Sequence, residues 1–136
     1  MPNRWLLKTE PEEYSFDDLV RERHTVWDGV SNPLALRHLR AIRKGDELLI
    51  YHTGTERAAV GLAKATTDPY PDPGSRNPRI VVVNVAAIRR LPRPVALQTL
   101  KADRRFAGFE LIRIPRLSVM PVPHGIWKRI LGLAGR

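Results

Sequence analysis

The side chains best suited to chemistry in this sequence are flat aromatic rings near polar strand and helix ends. Trp27 opens the run Trp27-Asp28-Gly29-Val30, in which Asp28-Gly29 signals a turn. Asn32-Pro33 follows, with Asn at a helix cap and Pro at the first helical position. A Trp held in such a loop can stack a flat nucleobase, since every base offers a π face. The other reading of Trp27 is a ring folded over the core. Tyr51 at a strand end and Tyr70 in a proline-rich loop pose the same choice. Lys8-Thr9-Glu10 ends a strand, and Asn32 carries both the donor and the acceptor that a base edge requires.

Other chemistries find less support. Cysteine is absent, which excludes a disulfide framework, a thiolate nucleophile and Cys-ligated metal. The four histidines, His24, His38, His52 and His124, include no pair at i, i+3 or i+4. There is no H-E-x-x-H, Walker loop or Gly-x-Ser-x-Gly, so no metal site and no cofactor are expected. His52 reads as a half-buried strand histidine bonded to a backbone group.

Charge points to a polyanion. The 136 residues carry 23 Lys plus Arg against 14 Asp plus Glu, net +9, and 18 of the bases are Arg. Residues 1–72 hold 10 bases and 12 acids, net −2, whereas residues 73–136 hold 13 bases and 2 acids, net +11. Guanidinium forks suit phosphate, so nucleic acid is a natural partner. Arg76, Arg79, Arg89, Arg90 and Arg93 are the expected backbone contacts. The other reading is a solvated basic surface. No apolar run approaches a membrane span, and the N-terminus lacks a signal-type apolar region, so a cytoplasmic protein is expected.

The elements that must position these residues form one domain over 1–136. Trp5–Lys8 predicts a first strand, ended by Glu10-Pro11. Ser15 and Asp18 form a capping pattern for a short helix to about Arg21. Ala35, Leu39 and Ile42 give the Asn32-capped helix a buried face. Glu47–His52 and Ala58–Ala65 read as paired strands, and residues 66–79, with four prolines, as a loop. Ile80–Ile88 is a central strand, and Arg89–Pro94 a turn. A short helix is expected over Val95–Lys101, a last strand over Arg116–Val122, and a final helix to about Leu133 with Gly135 beyond its end. Residues 102–111 carry little pattern. This irregular order of short elements indicates α+β, a small curled sheet or pseudo β-barrel with flanking short helices.

Several blocks in register carry a resemblance. Trp-Leu-Leu-Lys-Thr-Glu-Pro (5–11), Trp-Asp-Gly-Val-Ser-Asn (27–32), Gly-Asp-Glu-Leu-Leu-Ile-Tyr-His (45–52), Pro-Tyr-Pro-Asp-Pro (69–73) and Arg-Leu-Ser-Val-Met-Pro-Val (116–122) resemble the EVE domain, a PUA-like family. The likeness covers about Arg4 to Leu133. It implies a PUA-like pseudo-barrel and a pocket for a flipped, modified base of DNA or RNA, bound without catalysis. On that likeness Lys8, Thr9 and Glu10 lie at the pocket, Trp27 and Asn32 in its wall, Tyr51 and His52 near its floor, and Tyr70 and Pro71 over it. Two positions depart from the family pattern: Ser31 where many members have Arg, and Ile80 where many have Trp. A cage lacking that Trp would be thinner around a methyl group. The related ASCH branch implies an alternative, a hydrolase or nuclease acting on modified nucleosides or nucleic acid. Glu10 or Asp46 would then be the base and Lys8 the group polarising a carbonyl.

Overall fold

The computed structural model describes residues 3–135. Strand β1 (Arg4–Thr9) leads to helix α1 (Phe16–Glu22), strand β2 (His24–Trp27) and helix α2 (Pro33–Ala41). Strands β3 (Glu47–His52), β4 (Ala58–Ala65), the two-residue β5 (Tyr70–Pro71) and the long β6 (Val81–Ala96) follow. Helix α3 (Leu97–Lys101), a 3-10 turn (Arg104–Phe106), helix α4 (Glu110–Arg113), strand β7 (Val119–Pro121) and helix α5 (His124–Ala134) complete the chain.

Both early helices start where local chemistry dictates. Ser15 accepts from the Asp18 backbone N–H while Asp18 accepts from that of Ser15, a closed capping box. Asn32 Oδ1 accepts from the backbone N–H of Leu34 and Ala35, both at 3.0 Å, with Pro33 in the first turn. Ala35 and Leu39 are buried, as the spacing predicts, and Ile42 is buried too, but just past the end of α2 in extended geometry.

All seven strands form one curled, unclosed sheet in the order β2-β6-β4-β3-β1-β7, with β5 also on β6. β1 runs parallel to β3, from Arg4 opposite Glu47 to Thr9 opposite His52. That pairing requires a crossover, supplied by α1, β2 and α2. The other strand pairs are antiparallel.

β6 corrects the sequence reading of a turn at Arg89–Pro94, which is instead the continuation of one strand. The register against β4 shifts between Ala59 and Gly61 and again between Leu62 and Ala63. Gly61 faces Arg90 and Ala59 faces Val95, so Pro92 and Pro94 fall in a bulged run where their missing N–H groups cost no ladder bond. The weakly patterned segment 102–111 is pinned by Phe106 and Phe109, both fully buried. The last strand is shorter than expected, Val119–Pro121. Gly135 ends α5 in the left-handed conformation, as expected.

The core is continuous, with Leu6, Leu7, Leu19, Leu39, Leu48 and Leu49 fully buried. Phe16 lies flat on β4 at Gly61, where a Cβ would stand 2.3 Å from its Cζ. Among the described residues no helix is long and apolar enough to cross a membrane.

Candidate functional site

A cleft of about 410 Å³ opens at the C-terminal end of β1. Lys8, Thr9 and Glu10 form one side and Ser118, just before β7, adjoins them. The Lys8 backbone N–H donates to the Ser118 carbonyl at 2.9 Å, which holds the two segments together. Thr25 and Trp27 of β2 form the opposite wall, followed by Asp28, Gly29 and Val30. Tyr14, from the turn before α1, closes the cleft between them.

Trp27 is not a loop residue. It belongs to β2, paired with Val83 of β6, and is only 7% exposed. Its ring meets Tyr14 edge-on, centroids 6.4 Å apart and planes at 86°. The core reading of this residue holds: the indole is packed, and the little surface that remains exposed lines the cleft. The Tyr14 hydroxyl donates to Glu22 Oε1 at 2.7 Å. Burial and the Glu22 carboxylate push the Tyr14 pKa up, so the hydroxyl keeps its proton.

The mouth is acidic, with Glu10, Glu13 and Asp28 around a single ammonium, Lys8. Burial pulls the Lys8 pKa below the ordinary lysine range. Its Nζ donates to the Pro115 carbonyl at 2.8 Å and lies 5.6 Å from the Tyr51 ring centroid.

The other expected residues stand apart from this cleft. Asn32 is exposed and its side-chain oxygen is committed to the α2 cap. Tyr51 is buried under Lys8 and lines a second, adjoining cleft. His52 accepts from the Phe16 backbone N–H through Nε2 at 2.9 Å, as read from the sequence. That bond leaves the proton on Nδ1, which donates to Glu56 Oε1 at 2.7 Å. His52 thus ties α1 to β3 instead of flooring the cleft. Tyr70 donates to Asn84 Oδ1, which anchors β5 on β6, and Pro71 is exposed beside it.

The five arginines are dispersed. Arg76 and Arg79 are exposed in the proline loop, where the Arg79 carbonyl accepts from Arg40. Arg90 pairs with Asp17, Arg93 donates to the Leu133 carbonyl, and Arg89 is exposed next to Arg90. None of the five lines either cleft.

The two carboxylates offered as bases also have defined places. Asp46 is 4% exposed and accepts from the backbone N–H of Asn3 and Arg43 and from the Trp5 indole N–H, all within 3.0 Å. It closes the turn into β3 and does not line the cleft. Glu10 does line it, and accepts from the Thr53 hydroxyl at 3.2 Å. Among the described residues no group of three or more His, Asp or Glu is placed to hold a metal.

Tyr14, Thr25 and Ser118 were missed as cleft residues. Tyr14 carried a faint signal, an aromatic between the strand-ending Glu10-Pro11 and the Ser15 cap. Thr25 and Ser118 carried none.

The open curled sheet with helices packed across it, and a cleft at the C-terminal end of β1, define a PUA-like α+β protein. Within that class the chain belongs to the EVE domain family, whose model matches residues 3–133. Thymocyte nuclear protein 1 of Rattus norvegicus is 32% identical, over 98% of this chain and 74% of its own length. Among solved structures, a Rhodopseudomonas palustris protein is 36% identical with a TM-score of 0.92, covering 98% of this chain and 93% of its own. Human THYN1, solved in complex with 5-methylcytosine-containing DNA, is 28% identical with a TM-score of 0.90 over 98% of both chains. An ASCH protein of Zymomonas mobilis, 13% identical with a TM-score of 0.60 over 96% of this chain and 95% of its own, shares the fold.

Proposed function

We propose that this chain is a binding module for a modified nucleobase, taken out of a DNA or RNA strand into the Lys8–Trp27–Ser118 cleft and held there without a chemical step. The observation that carries this reading is the human relative bound to 5-methylcytosine-containing DNA, which shares the fold along nearly the whole of both chains. The cleft supports it in kind. Its volume of about 410 Å³ suits a small ligand. Trp27 and Tyr14 supply aromatic surface, and Thr9, Thr25 and Ser118 supply hydroxyls that can donate to or accept from a base edge. Thr9 donates to the Tyr14 carbonyl at 2.6 Å, which leaves its oxygen available as an acceptor.

The test is titration with short DNA and RNA oligonucleotides that each carry one modified base, 5-methylcytosine first, against their unmodified counterparts. At least one modified strand is expected to bind about tenfold tighter than its control, a difference of ~1.4 kcal/mol. Equal affinity for every modified and unmodified pair would overturn the reading. Appearance of a cleaved base or strand during the incubation would replace the binding module with a hydrolase.

A further inference from the structure

Beside the base cleft lies a second one of about 250 Å³, with Lys8 lining both. Its rim carries Lys8, Arg57 and Lys101, and its lining includes no carboxylate. Its apolar floor is formed by Tyr51, Leu97 and Leu111. None of the three cations takes part in an ion pair among the described residues. Of the carboxylates close to these residues in the chain, Glu10, which stands against Gly54, accepts from the Thr53 hydroxyl, and Glu56 accepts from His52. Asp103 pairs with Arg105, and Glu110 lies 3.4 Å from His38.

Arg57 is held in place by its backbone. It has a φ of 47°, in the left-handed region that non-glycine residues seldom occupy. Its carbonyl accepts from the Leu97 N–H at 2.8 Å, and its Nε donates to the Gly54 carbonyl at 3.1 Å. The Nε bond orients the guanidinium plane and leaves the terminal NH2 groups for an anion. Lys8 has one protein acceptor, the Pro115 carbonyl, for three ammonium donors and is half-buried, so an oxyanion beside it would offset lost hydration.

We infer that this second cleft is the subsite for the nucleotide next to the bound base, its phosphate on Lys8, Arg57 and Lys101 and its sugar or base over Leu97 and Leu111. The inference rests on the nucleic-acid reading and replaces the arginines of residues 76–93 as the principal backbone contact. Lys8, standing between the clefts, is then the hinge point at which the strand turns from one nucleotide to the next.

The experiment compares 5-methyl-2′-deoxycytidine with a DNA trinucleotide carrying 5-methylcytosine at its centre, on the full chain and on Arg57→Gln/Lys101→Gln. Both side chains are exposed, and a thermal melt checks that the double variant is folded. The trinucleotide is expected to bind wild type about tenfold tighter than the nucleoside, a gain that two charge-assisted contacts can supply. The double variant is expected to lose that gain, keep its nucleoside affinity, and show a salt slope shallower by ~0.7 per lost phosphate contact. A double variant that binds the trinucleotide as tightly as wild type overturns the subsite. An unmodified trinucleotide separates the two readings. If it binds as well as the modified one, the base reading fails, and its loss of affinity in the double variant still supports the subsite. Retention of that affinity, or no binding of either trinucleotide to wild type, overturns it.

Discussion

Replacing Trp27 with Ala separates the packing of this residue from any part it plays in binding. The side chain is 7% exposed, so nearly all of an indole's ~150–250 Å² is removed from water. At ~25 cal/mol per Å² that burial is worth ~4–6 kcal/mol, an upper bound because the unfolded chain already buries some of it. The edge-on contact with Tyr14 adds ~0.5–1.5 kcal/mol. Against this, β2 is an edge strand of four residues, paired only with β6, and can relax into the space left behind. A loss of ~3 kcal/mol follows, at the lower end of the ~3–5 kcal/mol seen for buried Trp. For a chain of this length that lowers Tm by ~10 °C. Trp27→Phe keeps a ring against Tyr14 and is expected to recover about half of the loss. Melting is followed by circular dichroism, and 5-methylcytosine oligonucleotide binding is measured well below the lower Tm. A Trp27→Ala protein that melts within ~2 °C of wild type would refute the packing calculation. A folded variant with unchanged affinity would remove Trp27 from the binding wall.

Gly61→Ala places a Cβ 2.3 Å from Phe16 Cζ, so the fully buried ring must move. A loss of ~1–3 kcal/mol in denaturant unfolding is expected, relieved when Phe16→Leu is added, and an unchanged midpoint would contradict the contact. The Asp103 carboxyl titrates at about 2, held down by its hydrogen bonds from Arg105. Its folded pKa lies below its unfolded one, so its contribution to stability is present above the ordinary Asp value and is lost as pH falls through about 2. Carboxyl NMR of Arg105→Gln should show the midpoint return towards the ordinary Asp value, and an unmoved midpoint would assign the shift elsewhere.

What could be read from the sequence was what local chemistry determines. Ser15-x-x-Asp18 and Asn32-Pro33 start helices through bonds within one turn, so α1 and the start of α2 were legible, whereas α2 ends at Ala41, short of the Ile42 that the helical spacing included. Gly135 ended α5 for the same reason. Arg89–Pro94 misled because two prolines look like a turn until the bulges against Ala59–Ala63 are known, and bulges depend on a partner strand. The candidate site divides the same way. Lys8-Thr9-Glu10 was legible as a strand end, since strand and end lie in one stretch of chain, while its place beside a pocket was implied only by the family resemblance. Tyr14, Thr25 and Ser118 meet there only through the crossover and the β1–β7 pairing. Arg57 and Lys101 come together through the bond between the Arg57 carbonyl and Leu97 N–H, which no spacing announces. The net charge of residues 73–136 was real but gave no location, because Arg90 and Arg93 engage this chain's own acceptors.

The pairing of β2 with β6 also bears on when the cleft comes into being. Trp27 has no strand neighbour until Val83 has been synthesised, because β6 is the one strand that pairs with β2 among the described residues. On the ribosome, β1, β3 and β4 can assemble first, while the Thr25–Trp27 wall waits for a strand encoded much later. Such long-separation pairing is slow to form. In the mature protein the same edge should be an early segment to open below the global unfolding free energy. Amide exchange at Thr25 and Trp27, opposite Val85 and Val83, would then report opening of the cleft itself, and a bound base would slow it by bridging β2 to the end of β1.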